Sequence, residues 1–239
     1  MGMRVRVRFT KTGKVRFTSH RDVARMWERA LRRASLRVMY TEGFSPRPKM
    51  HFGLALSTGY ESLAEYIDID MIEEFDPSDL PDRLTPCLPI GLEVTAIAVI
   101  DRSAPSLQAD VTSCWWEFTM LGVSVDELNV SVQHLLDADT VMLTRSRKGI
   151  ESRDDVRPAI KQLSVHQHHN DVIVKADIAT EGRGLRPAEL MQVLFPELDD
   201  IEPRIRRVLR THQWIEADGA RVEPLSLPAT LATHTEVCV

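Results

Sequence analysis

Cysteine is scarce: this chain of 239 residues has three, Cys87, Cys114 and Cys238, far apart and odd in number. That argues against a disulfide framework and a cysteine-based zinc site, and for a reducing cytoplasm. Long apolar runs are missing as well. None approaches the roughly 20 residues that span a bilayer. No apolar stretch follows the charges of Met1-Gly2-Met3-Arg4-Val5-Arg6, so neither a signal peptide nor a membrane partner is expected. Position 6 is Arg, not the Ser or Thr of a myristoylation signal. There is no GxxxxGK(S/T) loop and no GxGxxG fingerprint, which removes the commonest nucleotide-binding loops.

Acids are nearly absent from one stretch only. Residues 1–52 hold 14 Lys/Arg against three acids, Asp22, Glu28 and Glu42, a net +11. The remaining residues hold 16 Lys/Arg against 32 acids, a net −16, and the whole-chain charge of −5 hides the split. A basic lobe on an acidic protein points to an anionic partner. Otherwise the composition is that of an ordinary globular chain, 43% hydrophobic and 27% charged. Its length suits one large domain or two of usual size.

Met3–Phe9 alternates Val5, Val7 and Phe9 with Arg4, Arg6 and Arg8, the period of a half-buried strand. Lys11–Lys14 reads as a turn and Val15–Phe17 as extended chain. Ser19 with Asp22 three residues on reads as a capping box, and Val23, Met26, Trp27, Ala30, Leu31 and Ala34 then draw one helical stripe. Met50–Leu56 and Ala64–Met71 read as strands, Pro77–Leu88 as a helix and Leu92–Ile100 as a β-branched strand. A linker lies at about 101–110. Trp115–Leu121, a helix at Val125–Ala138, Thr140–Arg145, a hairpin of Arg157–Val165 and Asp171–Thr180, a helix at Pro187–Leu194 and a strand at Ile205–Trp214 repeat the order. The expected fold is α+β, two tandem ferredoxin-like (split βαβ) domains with antiparallel sheets, at 1–102 and 111–217. Residues 218–239 have several prolines and no period and are expected to form a loosely ordered tail.

The basic groups off the helical stripe are Arg21, Arg25, Arg29, Arg32 and Arg33, and Phe44, Arg47 and Lys49 follow in the segment Gly43–Lys49. Lys and Arg bind phosphate backbones through charge neutralisation, and Arg adds bidentate geometry. Phe9, Phe17, Phe44 and Phe52 are interleaved with these bases, either as core or as stacking groups on an open sheet. Arg145, Arg147, Lys148, Arg153 and Arg157 form a second basic cluster, a continuation of the same track or a charged loop. His20 and His51 are candidates for acid–base work on an RNA 2′-hydroxyl, against a structural or exposed role. His166, His168 and His169 read as a polar hairpin tip. Glu65, Asp68 and Asp70 read as a solvated strand face or as partners of the basic helix. No metal and no cofactor are expected.

One motif series is specific. Phe17-Thr18-Ser19-His20-Arg21-Asp22, Ala30-Leu31-Arg32-Arg33-Ala34, Gly43-Phe44-Ser45-Pro46-Arg47-Pro48-Lys49, and Gly59-Tyr60-Glu61-Ser62 with Glu65-Tyr66-Ile67-Asp68-Ile69 resemble the bacterial radical-SAM-linked proteins of unknown function. The match covers about residues 3–100, with an echo in Asp155–Ile160. Members of that family are fused to, or encoded beside, a cobalamin-binding radical-SAM protein, and some lie near ribonuclease E/G and ribosomal-protein genes. The resemblance implies an accessory that presents RNA to a radical-SAM enzyme. This chain lacks the CxxxCxxC motif of such enzymes, so that partner would be a separate protein. The family carries over no catalytic residue.

The function expected is therefore a non-catalytic RNA-binding adaptor, for tRNA or rRNA, in the cytoplasm. One alternative is a metal-independent endoribonuclease similar in architecture to the CRISPR repeat-processing RNases, with His20 as base and Arg21 or Lys49 stabilising the transition state. Another is a protein scaffold whose basic lobe docks on an acidic partner.

Overall fold

The computed structural model describes residues 2–182, 184–198, 201–217 and 219–226, apart from the side chains of Arg147 and Ala217. It is a mixed α/β structure whose paired strands run antiparallel. The chain divides into two compact units, Met1–Val111 with Gln213–Val239, and Thr112–His212. Among the described residues, no helix is long and apolar enough to cross a membrane.

The first unit opens with β1 (Arg4–Lys11). Its Val5, Val7 and Phe9 are buried, as the alternation requires. Val15–Phe17 is not extended: a 3-10 turn covers Gly13–Phe17, entered at positive φ (64°) on Gly13, and only Val15 is buried in it. Helix α1 (His20–Arg33) starts where Ser19 accepts the backbone N–H of Asp22 at 3.2 Å. The Ser19 hydroxyl donates to the Asp22 carboxylate at 2.7 Å, and this bond is the main reason that carboxyl sits below its usual range. α1 buries Val23, Trp27, Ala30 and Leu31 against Val5, Val7 and Phe9 of β1. Trp27 meets Phe9 edge-on, with ring centroids 4.9 Å apart.

β2 (Met50–Phe52) is shorter than the expected strand and pairs with Ile67–Ile69 of β3 (Glu61–Asp70). The expected helix at Pro77–Leu88 is broken by its prolines into α2 (Leu80–Leu84) between two 3-10 turns, Pro77–Asp79 and Thr85–Cys87. Leu80, Leu84 and Leu88 still join the core. β4 (Val94–Ile100) follows, reached through Gly91, where a Cβ would lie 2.3 Å from the Thr12 carbonyl. The expected linker contains a one-turn helix, α3 (Leu107–Asp110).

The second unit begins within β5 (Val111–Met120). Helix α4 (Val125–Asp137) carries a full capping box between Ser124 and Glu127. β6 (Met142–Arg147) does not join the main sheet; it pairs with β7 (Ile150–Asp155) as a separate hairpin. β7 was not foreseen, because Glu151-Ser152-Arg153-Asp154-Asp155 has no apolar alternation. Pro158 holds Arg157–Ala159 in a 3-10 turn, so β8 begins at Ile160 (Ile160–His168) and pairs with β9 (Asp171–Ala179). α5 (Pro187–Leu194) leads to β10 (Ile205–Ala217), whose first part lies beside β5. The sheet order in this unit is β10-β5-β9-β8.

In the first unit the order is β4-β1-β3, with β2 and the end of β10 on the outer edge of β3. There Gln213 donates to the Ala64 carbonyl at 2.6 Å. The expected loose tail differs at its start: β11 (Ala220–Val222) pairs with Ile215–Ala217 of β10. A single exposed face needs no apolar alternation, which is why Ala220-Arg221-Val222 gave no signal. The rest of that tail, 227–239, lies outside the described residues.

Candidate nucleic-acid interface

The arginines of β1 are closed off. Register places Arg4 opposite Asp70 and Arg6 opposite Asp68. Arg6, fully buried, holds both Asp68 oxygens at 2.7 and 2.9 Å and donates to the Pro224 carbonyl at 3.0 Å. Arg4 reaches Asp70 at 2.7 Å, and Arg8 reaches Glu223 at 3.1 Å. Burial works against the Asp70 carboxylate, but the hydrogen bond and charge of Arg4, with His51 and Arg102 nearby, outweigh it and hold the group below the usual range. Asp68 and Asp70 are thus neither a solvated face nor partners of the helix. They are buried and belong to β1.

This side of the sheet is not an open stacking platform. Tyr66 and Ala64 are buried there with Leu107, and Leu225 packs on them. Burial raises the Tyr66 phenol well above its usual range. Of the four phenylalanines, Phe9 is core and Phe52 packs against the core, while Phe17 and Phe44 are exposed. Lys11 is buried and donates to the Thr18 carbonyl at 3.0 Å. Arg16 lies over the Phe17 ring at 4.7 Å and pairs with Glu61, and Arg37 pairs with Glu73.

α1 is the opposite case. Arg21, Arg25, Arg29, Arg32 and Arg33 are all exposed. Arg25 approaches Asp22 at 3.4 Å, an exposed pair of small worth. Among the described residues, Arg21, Arg29, Arg32 and Arg33 form no ion pair, and neither do Lys14, Arg47 and Lys49. The segment with Arg47 and Lys49 is a closed loop. Tyr40 bridges Pro48, Thr41 and Arg47 exchange hydrogen bonds, and the Lys49 N–H donates to the Met39 carbonyl at 2.7 Å. Phe44 stands at its tip, 109% exposed against the reference state. His20 is exposed and leans edge-on against Phe52 with centroids 5.0 Å apart. It also lines a cavity of about 20 Å³ with Lys11 and Glu65. His51 lies 3.8 Å from Asp70.

In the second unit the expected basic cluster is dispersed. Arg145 is bidentate to Glu189 at 3.0 and 2.8 Å, donates to the Gly184 carbonyl at 2.7 Å and approaches Asp154 at 3.4 Å. It fastens the β6–β7 hairpin to α5, beside an open cavity of about 710 Å³. Arg157 donates to the Leu136 and Ile160 carbonyls. Lys148 and Arg153 are exposed, with Lys148 in the hairpin turn at φ 53°. The side chain of Arg147 lies outside the described residues. His166 contacts Ser164, and His168 and His169 contact each other; among the described residues no group of three or more His, Cys, Asp or Glu is placed to hold a metal.

The buried Arg6–Asp68 pair was missed by sequence reasoning, although a signal existed. Arg4 and Arg6 are two residues apart, as are Asp68 and Asp70, so two strands each present one sign on one face.

A family model described as "Uncharacterized protein conserved in bacteria (DUF2344)" matches residues 4–187. No curated protein matches the chain significantly. Among solved structures, a chain in the crystal structure of a Cbf5-Nop10-Gar1 complex is similar at 9% identity and a TM-score of 0.47. The likeness covers 87% of this chain and 48% of that one, so this chain spans about half the length of the solved chain it matches.

Proposed function

We propose that this chain, which belongs to the uncharacterized bacterial family DUF2344, is a non-catalytic RNA-binding adaptor. The observation that carries the reading is the sorting of its basic groups. Those of β1 are consumed by buried pairs, while the exposed arginines of α1 and the bases of the 41–49 loop are left for a partner. A row of uncompensated guanidinium groups is suited to a phosphate backbone. The tandem ferredoxin-like plan is part of the proposal. It is supported by the sheet orders β4-β1-β3-β2 and β10-β5-β9-β8, with a helix after the first strand and another after the third in each unit. So is service to a separate radical-SAM protein, which rests on the motifs from Phe17 to Ile69.

The test is retardation of total tRNA and rRNA by the full chain at low salt. Shifted RNA that is released as salt rises is the expected result, and no retardation of either RNA sinks the reading. Capture of a protein that survives RNase treatment would favour the scaffold alternative instead.

One observation keeps the endoribonuclease alternative: His20 shares its small cavity with two ionisable groups, Lys11 and Glu65. Incubation with RNA in EDTA separates the two. The adaptor leaves RNA bound and intact, whereas cleavage that is lost in His20→Ala assigns the nuclease.

A further inference from the structure

We infer that the arginine face of α1 reads double-helical RNA through its phosphate backbone and does not read unpaired strands. This rests on the RNA-binding reading above and narrows it to a substrate class.

Four observations carry it. First, the arginines form a straight, one-sided array. At about 100° and 1.5 Å per residue, Arg21, Arg25, Arg29, Arg32 and Arg33 fall within an arc of about 120° and a line about 18 Å long. The buried residues Val23, Trp27, Ala30 and Leu31 occupy the opposite arc. The one acid inside the arginine arc is Asp22, at the helix start, bonded to Ser19 and Arg25.

Second, the array is stiff. Ser19 caps one end, and at the other the Ala34 N–H reaches the Ala30 carbonyl and Leu36 N–H the Leu31 carbonyl. A rigid line of charge fits a backbone that is already ordered. An unpaired strand would have to be ordered on binding, at a cost in conformational entropy.

Third, the face has nothing to stack a base on. Trp27 is the only aromatic residue in α1, and it is fully buried. Unpaired RNA is recognised largely by stacking of its bases on aromatic groups, whereas duplex RNA is recognised by shape and backbone.

Fourth, the alternative platform in this unit is shut. Arg6, Tyr66, Asp68 and Ala64 are buried on the sheet, beneath Leu107 and Leu225.

The test uses the full chain, an RNA duplex of about 16 base pairs, unpaired oligouridine of the same length and polyglutamate, compared by fluorescence anisotropy at one low salt concentration. The duplex is expected to bind about tenfold or more tighter than oligouridine, a difference of about 1.4 kcal/mol per tenfold. Equal or tighter binding of oligouridine overturns the duplex inference and leaves the RNA reading standing. Binding of polyglutamate as tight as that of the duplex overturns both in favour of an acidic protein partner. If neither RNA binds, the RNA reading falls and takes this inference with it.

A second measurement uses Arg21→Gln, Arg25→Gln, Arg29→Gln and Arg32→Gln combined. Gln keeps the helix propensity of Arg and removes the charge. Duplex affinity is expected to fall at least tenfold, and the slope of log affinity against log salt to shrink by about three. An unchanged slope in a variant with wild-type thermal unfolding overturns the assignment of α1.

Discussion

β1 and α1 carry arginine at nearly the same density, yet the two sets have opposite fates. In β1, Arg4, Arg6 and Arg8 point to one side of a strand, and β3 and the chain after β11 supply Asp70, Asp68 and Glu223 to that side. In α1 the arginines point away from the core, and apart from Asp22 no described acid is paired with them. The strand converts its charge into internal cross-links, and the helix keeps its charge for the outside. Local charge density alone therefore does not locate a binding surface. What decides is whether the fold brings acids to the same face.

The comparison breaks most visibly at Arg6. Replacing Arg6 with Ala leaves Asp68 buried without its bidentate partner, and the loss expected is about 3–5 kcal/mol, measured by urea or guanidinium unfolding. Replacing both residues by apolar ones, Arg6→Met with Asp68→Leu, is expected to restore most of it, because the desolvation of two charges is removed together. If Arg6→Ala unfolds at the wild-type midpoint, the pair contributes nothing and the contrast with α1 fails. The arginines of α1 give the reverse pattern. Each single change there, such as Arg29→Ala, is expected to alter stability by no more than about 0.5 kcal/mol, since nothing buried depends on it.

The same contrast explains what the sequence showed and what it hid. The helix was legible from Ser19, Asp22 and the apolar stripe because caps and period are local signals. The exposure of its arginines followed from that period. The fate of Arg4, Arg6 and Arg8 was not local. It depends on the antiparallel register that sets Arg6 against Asp68, 62 residues away, and on Pro224 and Glu223 returning from 218 and 215 residues away. β7 and β11 were illegible for another reason. Both are edge ribbons with little apolar burial, so the hydrophobic alternation that reveals a strand is absent. The Arg145 cluster misled because three of its five members lie on the β6–β7 hairpin arms, where alternate residues face opposite ways.

Acid should sharpen the comparison through Asp70. Its carboxyl ionises below the usual value of about 3.9 in the folded chain. The folded state therefore binds fewer protons than the unfolded state in that range. The stabilisation is complete above the unfolded value and is lost as pH falls through the folded one. Unfolding free energy is expected to drop below about pH 4, and to drop less steeply in Asp70→Asn. A variant with the wild-type slope would mean that the Arg4–Asp70 contact is not formed in solution. No such dependence is expected of Arg29 or Arg32, which face no carboxylate among the described residues.

A smaller effect tests the foundation of the helix. Ser19→Ala removes the acceptor for the Asp22 N–H, and the expected cost is about 1 kcal/mol, visible as a lower unfolding midpoint. Binding of RNA should change little, because the arginines lie along turns beyond the cap.

The smallest effect expected is at the rim of the closed face. Arg8 and Glu223 are both partly exposed, at 22% and 24%, so water screens their attraction. Glu223→Gln keeps the shape of the side chain and removes its charge, and the expected loss is under about 1 kcal/mol. The result grades the β1 side from centre to edge: Arg6 is sealed, Arg4 half-sealed and Arg8 open to solvent. If Glu223→Gln costs as much as Arg6→Ala, the segment carrying Glu223, Pro224 and Leu225 is a single cooperative strap over β1, held at its charged end. If it costs little, as expected, the strap is held by Leu225 against Tyr66 and by the Pro224 carbonyl on Arg6, and Leu225→Ala becomes the change that loosens it.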